Sequence, residues 1–141
     1  MHSSWLCVDA NLVIRLVADP TDGTVRELWE RWDAEGRQLA APTLLFYEVA
    51  NALYRYQKLD LLSASAVRLA LRAALSLPIK LHGGPELHRR ALELAERFSL
   101  SAAYDSHYLA LADRLGAEFW TADGTLVRSV QAALPWVHLV T

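Results

Sequence analysis

The run "SAAYDSHYLALADRLGAEFWTADGTL" (residues 101–126) decides the fold. Its first half carries apolar residues at helical density and stops at Gly116, a residue suited to ending a helix. "AEFWTAD" then reads as a short strand, and "GTLVRSVQAAL" as a helix that leaves it. Helix, strand and helix joined by turns of a few residues are the repeating unit of an α/β layer fold.

The same alternation extends to both ends of the chain. "WLCVDA" is an apolar strand ending at Asp9, and "NLVIRLVADP" a short helix that Asn11 is able to cap and Pro20 closes. In "DGTVRELWERWDAEG" a helical stripe of Val25, Leu28, Trp29 and Trp32 ends at Gly36. "RQLAA" is a weak strand candidate, short and poor in β-branched residues. Pro42 suits the first turn of a helix through "PTLLFYEVANALYRYQKLD", with Leu45, Val49, Ala52 and Tyr56 on one side. Another helix starts at Ser63 or Ser65 and breaks at Pro78, before the brief strand "PIKLH". "GGPELHRRALELAERF" aligns Leu87, Ala91, Leu94 and Phe98, and "WVHLV" after Pro135 is a final strand. Apolar strands separated by helices predict a parallel sheet covered on both faces, in one α/β domain spanning residues 1–141.

Composition narrows the function. Of 141 residues, 53% are hydrophobic and 21% charged, enough to bury a core and unlike a disordered chain. The formal net charge of −2 gives no bulk attraction to nucleic acid, so any such binding needs a local basic face. Cys7 is the single cysteine, which excludes an internal disulfide, and its apolar surroundings predict a buried, inert thiol. No charge-free run is long enough to span a bilayer, and the expectation is a soluble cytoplasmic protein without a membrane partner. The five histidines (His2, His82, His88, His107, His138) show no close ligand spacing, so no zinc site is expected.

Four acids stand out once the strands are placed. Asp9 ends the first strand and Asp123 follows the apolar part of "EFWT", so both lie at carboxyl ends of strands, where open α/β sheets bind ligands. Glu48 sits early in the helix after "QLAA", and Asp105 near the start of its own helix, where the dipole favours a carboxylate. Each has an ordinary reading: Asp9 as a helix cap, Asp123 before Gly124 as a turn residue, Asp105 as a dipole charge, Glu48 as a solvated acid on a largely apolar helix. Facing one crevice, they would instead repel one another unless a cation neutralised them. Oxygen ligands without cysteine select a hard ion such as Mg²⁺ or Mn²⁺, and with it phosphoryl chemistry.

In order and spacing, "VDANLVIRLV", "PTLLFYEVANALYR" and "LSAAYDSHYLALADRLGAEFWTADGTL" resemble the PIN-domain ribonucleases, especially VapC-type toxins of bacterial toxin–antitoxin pairs. The resemblance covers essentially the whole chain. It implies a parallel sheet of strand order 3-2-1-4-5. It also places the family's four acids on Asp9, Glu48, Asp105 and Asp123, as ligands of one or two Mg²⁺ or Mn²⁺ ions that activate water against an RNA phosphodiester. Asn11, Thr121 of the T-x-D motif and Asn51 match family positions that support the site or touch substrate. A small antitoxin and a homodimer are further implications. His107, two residues after Asp105, is given no role.

Arg15, Arg55, Lys58, Arg68, Arg72 and Lys80 are either a basic rim around the acids or ordinary solvated helix charges. Tyr54 and Tyr56 could stack on bases or pack in the core, and Trp29 and Trp32 read as core or covered residues. The rival to a metal-dependent endoribonuclease is a non-catalytic PIN-like scaffold that binds RNA or protein, which the presence of all four acids disfavours. A receiver or phosphatase domain would also gather acids at strand ends, but no D-x-D-x-T motif follows the first strand.

Overall fold

The computed structural model describes residues 4–19 and 21–141. Pro20 and His2, both named above, lie outside the described residues. The elements run β1 (Trp5–Val8), α1 (Ala10–Ala18), α2 (Gly23–Ala34), β2 (Gln38–Pro42), α3 (Leu44–Lys58), α4 (Ala64–Leu75), β3 (Ile79–His82), α5 (Pro85–Arg97), α6 (Tyr104–Leu115), β4 (Glu118–Thr121), α7 (Gly124–Val130) and β5 (Val137–Leu139). The five strands form one sheet in the order β3-β2-β1-β4-β5, every neighbouring pair parallel. This is the strand order the resemblance implied.

Why these segments take these shapes is local chemistry backed by burial. Leu6, Cys7 and Val8 of the central β1 are fully buried, as a strand covered on both faces requires. The weak candidate is a true strand: in β2, Ala40 and Ala41 are fully buried between β1 and β3, so position in the sheet overrides low β-propensity. The middle of α6 is buried from Tyr108 to Ala112, and the helix lies against β1, β2 and β4. Gly116 ends it in the left-handed conformation at φ 61°, which a glycine adopts without steric cost. Ser63 caps α4 by accepting from the Ala66 amide at 3.1 Å. Trp32 is buried against Trp120 of β4, and Trp29 covers it with ring centroids 5.2 Å apart.

Two local expectations are corrected. Pro42 does not open a helix: it is the last residue of β2, and α3 starts two residues later. Asn11 does not cap α1, because the helix already begins at Ala10 and Asp9 occupies the cap position. The Cys7 thiol is buried as expected, and burial pushes its pKa up to about 12, which makes it inert.

Candidate active site

Strand order reverses between β1 and β4: the chain leaves β1 towards β2 and β3 on one side, and β4 leads to β5 on the other. Helices that leave neighbouring strands in opposite directions open a crevice at the carboxyl edge of such a sheet. Here the crevice has a volume of about 280 Å³ and its lining includes Asp9, Asn11, Glu48, Asn51, Arg55, Asp105 and Asp123. All four acids therefore meet, from β1, α3, α6 and the end of β4. Asn11 and Asn51 line the same space, and Thr121 lies buried beside it.

Asp9 is the deepest, only 4% exposed. It stands at the N-cap position of α1 yet makes no capping hydrogen bond with its side chain. Its Oδ2 instead accepts from the Thr121 hydroxyl at 2.7 Å and from Asn11 Nδ2 at 3.4 Å. Thr121 is fully buried, and its oxygen also accepts from Asn11 Nδ2 at 3.2 Å and from the Asp123 amide at 3.0 Å. Asn11 Oδ1 closes the lattice by accepting from the Ala122 amide at 3.1 Å. Two residues of α1's entry are thus bound to the turn after β4, which sets Asp9 and Asp123 in register.

The other acids are held differently. Asp123 caps α7, its Oδ1 accepting from the Leu126 amide at 3.1 Å, so the turn reading and the crevice reading both hold for this residue. Among the described residues, its other oxygen accepts no hydrogen bond. Glu48 projects from α3, and its Oε1 accepts from the Tyr108 hydroxyl of α6 at 2.6 Å. Asp105 sits in the first turn of α6 and, among the described residues, accepts no hydrogen bond from another side chain.

The electrostatics follow from this burial. The Asp9 carboxyl is pushed up to about 7, first by burial and then by Asp105 and Glu48, against the opposing Thr121 bond. Burial also raises Glu48, with Asp105 adding to it and the Tyr108 bond opposing. Asp105 is raised by burial and then by Asp123. The Tyr108 hydroxyl stays protonated, since burial and the charges of Asp9 and Glu48 push its pKa far up. It therefore donates to Glu48 throughout the useful pH range.

Tyr108 was missed in the sequence because its ring reads as core, which it is: fully buried and packed against Phe119. His107 also has partners. Its Nδ1 lies 2.5 Å from the Ala103 carbonyl, to which it donates, and its Nε2 shares a hydrogen bond of 2.8 Å with His88 Nδ1 on α5. Nineteen residues separate the two histidines, and only the tertiary fold joins them.

Of the basic residues considered for a rim, Arg55 alone lines the crevice. Arg15 is paired with Asp22 at 2.7 Å, and Lys80 lies over Trp5, at the start of β1. A hard divalent cation fits the donor set, which offers four carboxylates, two side-chain amides and no thiolate. Among the described residues no three acid, His or Cys side chains form a ready cage for an ion. Mg²⁺ does not demand one, because it keeps several waters and takes one or two carboxylates directly beside substrate phosphate.

Comparison with known proteins agrees with this architecture. The PIN domain profile matches residues 6–129, and the chain belongs to the PIN-domain family. It is 31% identical over 130 residues to VapC ribonuclease Mb0985 of Mycobacterium bovis, covering 92% of this chain and 94% of that one. The crystal structure of PAE2754 from Pyrobaculum aerophilum superposes with a TM-score of 0.69 at 26% identity, over 94% of this chain and 90% of the other. A toxin–antitoxin complex from Klebsiella pneumoniae shares the fold, with a TM-score of 0.66 at 20% identity over 96% of each chain. No helix among the described residues is long and apolar enough to cross a membrane.

Proposed function

We propose that this chain is a divalent-metal-dependent endoribonuclease, one nuclease domain across residues 1–141, acting as the toxin of a toxin–antitoxin pair. The observation that carries the reading is the convergence of Asp9, Glu48, Asp105 and Asp123 on one crevice at the switch point of the sheet. The PIN-domain membership and the VapC ribonuclease relative support RNA as substrate and a small antitoxin as partner. A homodimer working in the cytoplasm belongs to the same reading. A scaffold without catalysis would not need four acids in one crevice.

The four carboxylates would hold one or two Mg²⁺ or Mn²⁺ ions. Bound there, the ion supplies an acidified water and Lewis-acid polarisation of the scissile phosphate. Thr121 and Asn11 orient Asp9, Tyr108 orients Glu48, and the α7 amide orients Asp123, each leaving a carboxylate oxygen for the ligand. Asp105 is the least engaged of the four by other side chains, which would leave it able to orient the attacking water. Asn51, exposed on α3 beside Glu48, would touch substrate.

The test is cleavage of a mixed RNA pool by antitoxin-free protein with Mg²⁺, with Mn²⁺ and with chelator, beside Asp105→Asn. Metal-dependent cleavage that falls by orders of magnitude in the variant is expected. Cleavage that survives chelation, or a variant as active as wild type, would overturn the four-carboxylate mechanism.

A further inference from the structure

The acid crevice opens along α3, and that helix carries a surface the site itself does not use. Arg55 stands two turns beyond Glu48 on the same side of the helix, about 10 Å along its axis. It is exposed, it lines the crevice, and it has no carboxylate partner among the described residues. Beside it, Tyr54 is 55% exposed, with the Lys58 ammonium 5.0 Å from its ring centroid. Lys58 likewise has no carboxylate partner among the described residues. The last turns of α3 thus carry two cations without a carboxylate partner and a half-exposed aromatic ring that one of them flanks, with Arg55 at the rim of a crevice whose floor is acidic.

We infer that this face of α3 is a track for single-stranded RNA, with Arg55 holding a phosphate flanking the one that is cut and Tyr54 stacking a neighbouring base. The inference rests on the nuclease reading above and assigns the grip that the reading leaves open. Charge decides the occupant. With a net charge of −2 the chain has no general attraction for a polyanion, so binding must come from local cations, and Arg15 on α1 lies outside the crevice lining and is tied to Asp22. A Tyr ring flanked by a cation is the sequence-tolerant element that single-stranded nucleic acid uses, since every base has a face to stack. Arg55 lines the crevice, and Tyr54 precedes it on the adjoining side of α3, so a strand whose reacting phosphate lies over the acids meets Arg55 at the rim and reaches Tyr54 by turning onto that side of the helix.

The experiment measures binding of a fluorescent ten-nucleotide RNA of mixed sequence to the full chain by anisotropy, with Ca²⁺ present, over a series of salt concentrations. Arg55→Gln is expected to weaken binding and to flatten the slope of log K against log salt by about 0.7, the contribution of one single-strand phosphate. Tyr54→Ala is expected to weaken binding about 5- to 150-fold at unchanged slope, while Tyr54→Phe keeps it. Light scattering on the same samples separates the rival occupant. A Tyr54→Ala protein that changes oligomeric state while binding RNA as wild type does would make this face a protein interface and overturn the proposal, as would wild-type protein that binds no RNA. The two readings fail separately. Absent metal-dependent cleavage in a chain whose RNA binding still depends on Arg55 sinks the nuclease; cleavage with KM indifferent to Arg55 and Tyr54 sinks the track.

Discussion

Replacing Asp9 by Asn should make the metal-free protein more stable at neutral pH, although it removes the most buried acid of the site. Asp9 is 4% exposed, and its pKa rises from an ordinary 3.8 to about 7 in the folded chain. The folded state therefore holds this proton more tightly than the unfolded one. Stability from Asp9 is full below about pH 4 and is lost as pH rises towards 7. At roughly 1.4 kcal/mol for every tenfold change in proton affinity, that rise amounts to about 4 kcal/mol at most. For a domain of this size that is on the order of 10 °C in melting temperature. The amide that replaces the carboxyl in Asp9→Asn cannot ionise, and its oxygen can still accept from Thr121. Thermal denaturation followed by circular dichroism, in chelator from pH 4 to 8, reads the effect directly. Wild type should lose stability across that window, while Asp9→Asn loses less, because Glu48 and Asp105 remain and are shifted in the same direction. Mg²⁺ should restore wild type at pH 8 and do less for the variant. A variant less stable than wild type at pH 8, with an unchanged pH slope, would show that Asp9 is a satisfied structural anchor and refute the reasoning.

Three further substitutions probe the supports. Thr121→Val leaves Asp9 Oδ2 and the Asp123 amide short of a partner in a buried place, and should cost about 1–3 kcal/mol in urea denaturation while weakening metal binding. Tyr108→Phe keeps the packing on Phe119 but deletes the donor to Glu48; the expected result is a folded protein whose metal affinity, read by calorimetry, is lowered. Trp32→Ala empties a fully covered position on α2 and should cost about 3–5 kcal/mol, measured by the denaturation midpoint.

Much of this arrangement could be read from the chain because the fold turns sequence position into spatial position. A residue just after an apolar strand lies at one known edge of a parallel sheet, which is why Asp9 and Asp123 could be placed together without coordinates. Glu48 was visible for a different reason, an acid set in a mostly apolar helix. What failed is the fine assignment of caps and turns. Asp9 and Asn11 are both cap-forming types two residues apart, and only the backbone of α1 shows that the helix starts at Ala10. Pro42 suits the end of an edge-near strand as well as a helix start, and the pairing of β2 with β3 through Pro42 and His82 decides for the strand. Contacts across distant segments left no local trace. The Tyr108–Glu48 bond joins residues 60 apart and the His88–His107 contact residues 19 apart, and neither follows a helical or strand period.

The same distances explain why the acids are better understood as a site than as structural charges. A structural role would leave each carboxylate paired with a cation, but Arg15, one turn beyond the crevice residue Asn11 on α1, bonds Asp22 and does not line the crevice. Arg55 reaches the crevice rim without making an ion pair among the described residues. Instead, neutral donors surround the acids: a hydroxyl and an amide on Asp9, a phenol on Glu48, a backbone N–H on Asp123. Such donors orient a carboxylate without cancelling its charge, and they leave its remaining oxygen open. The repulsion and burial that raise Asp9, Glu48 and Asp105 then persist in the free protein, where they work against the fold. A cation from solution would remove that penalty on binding, so the affinity for the ion and the instability of the empty crevice have one physical origin. Removing the buried charge of Asp9 should therefore lower both together, which the pH and Mg²⁺ dependence of the Asp9→Asn melting curves measures in a single experiment.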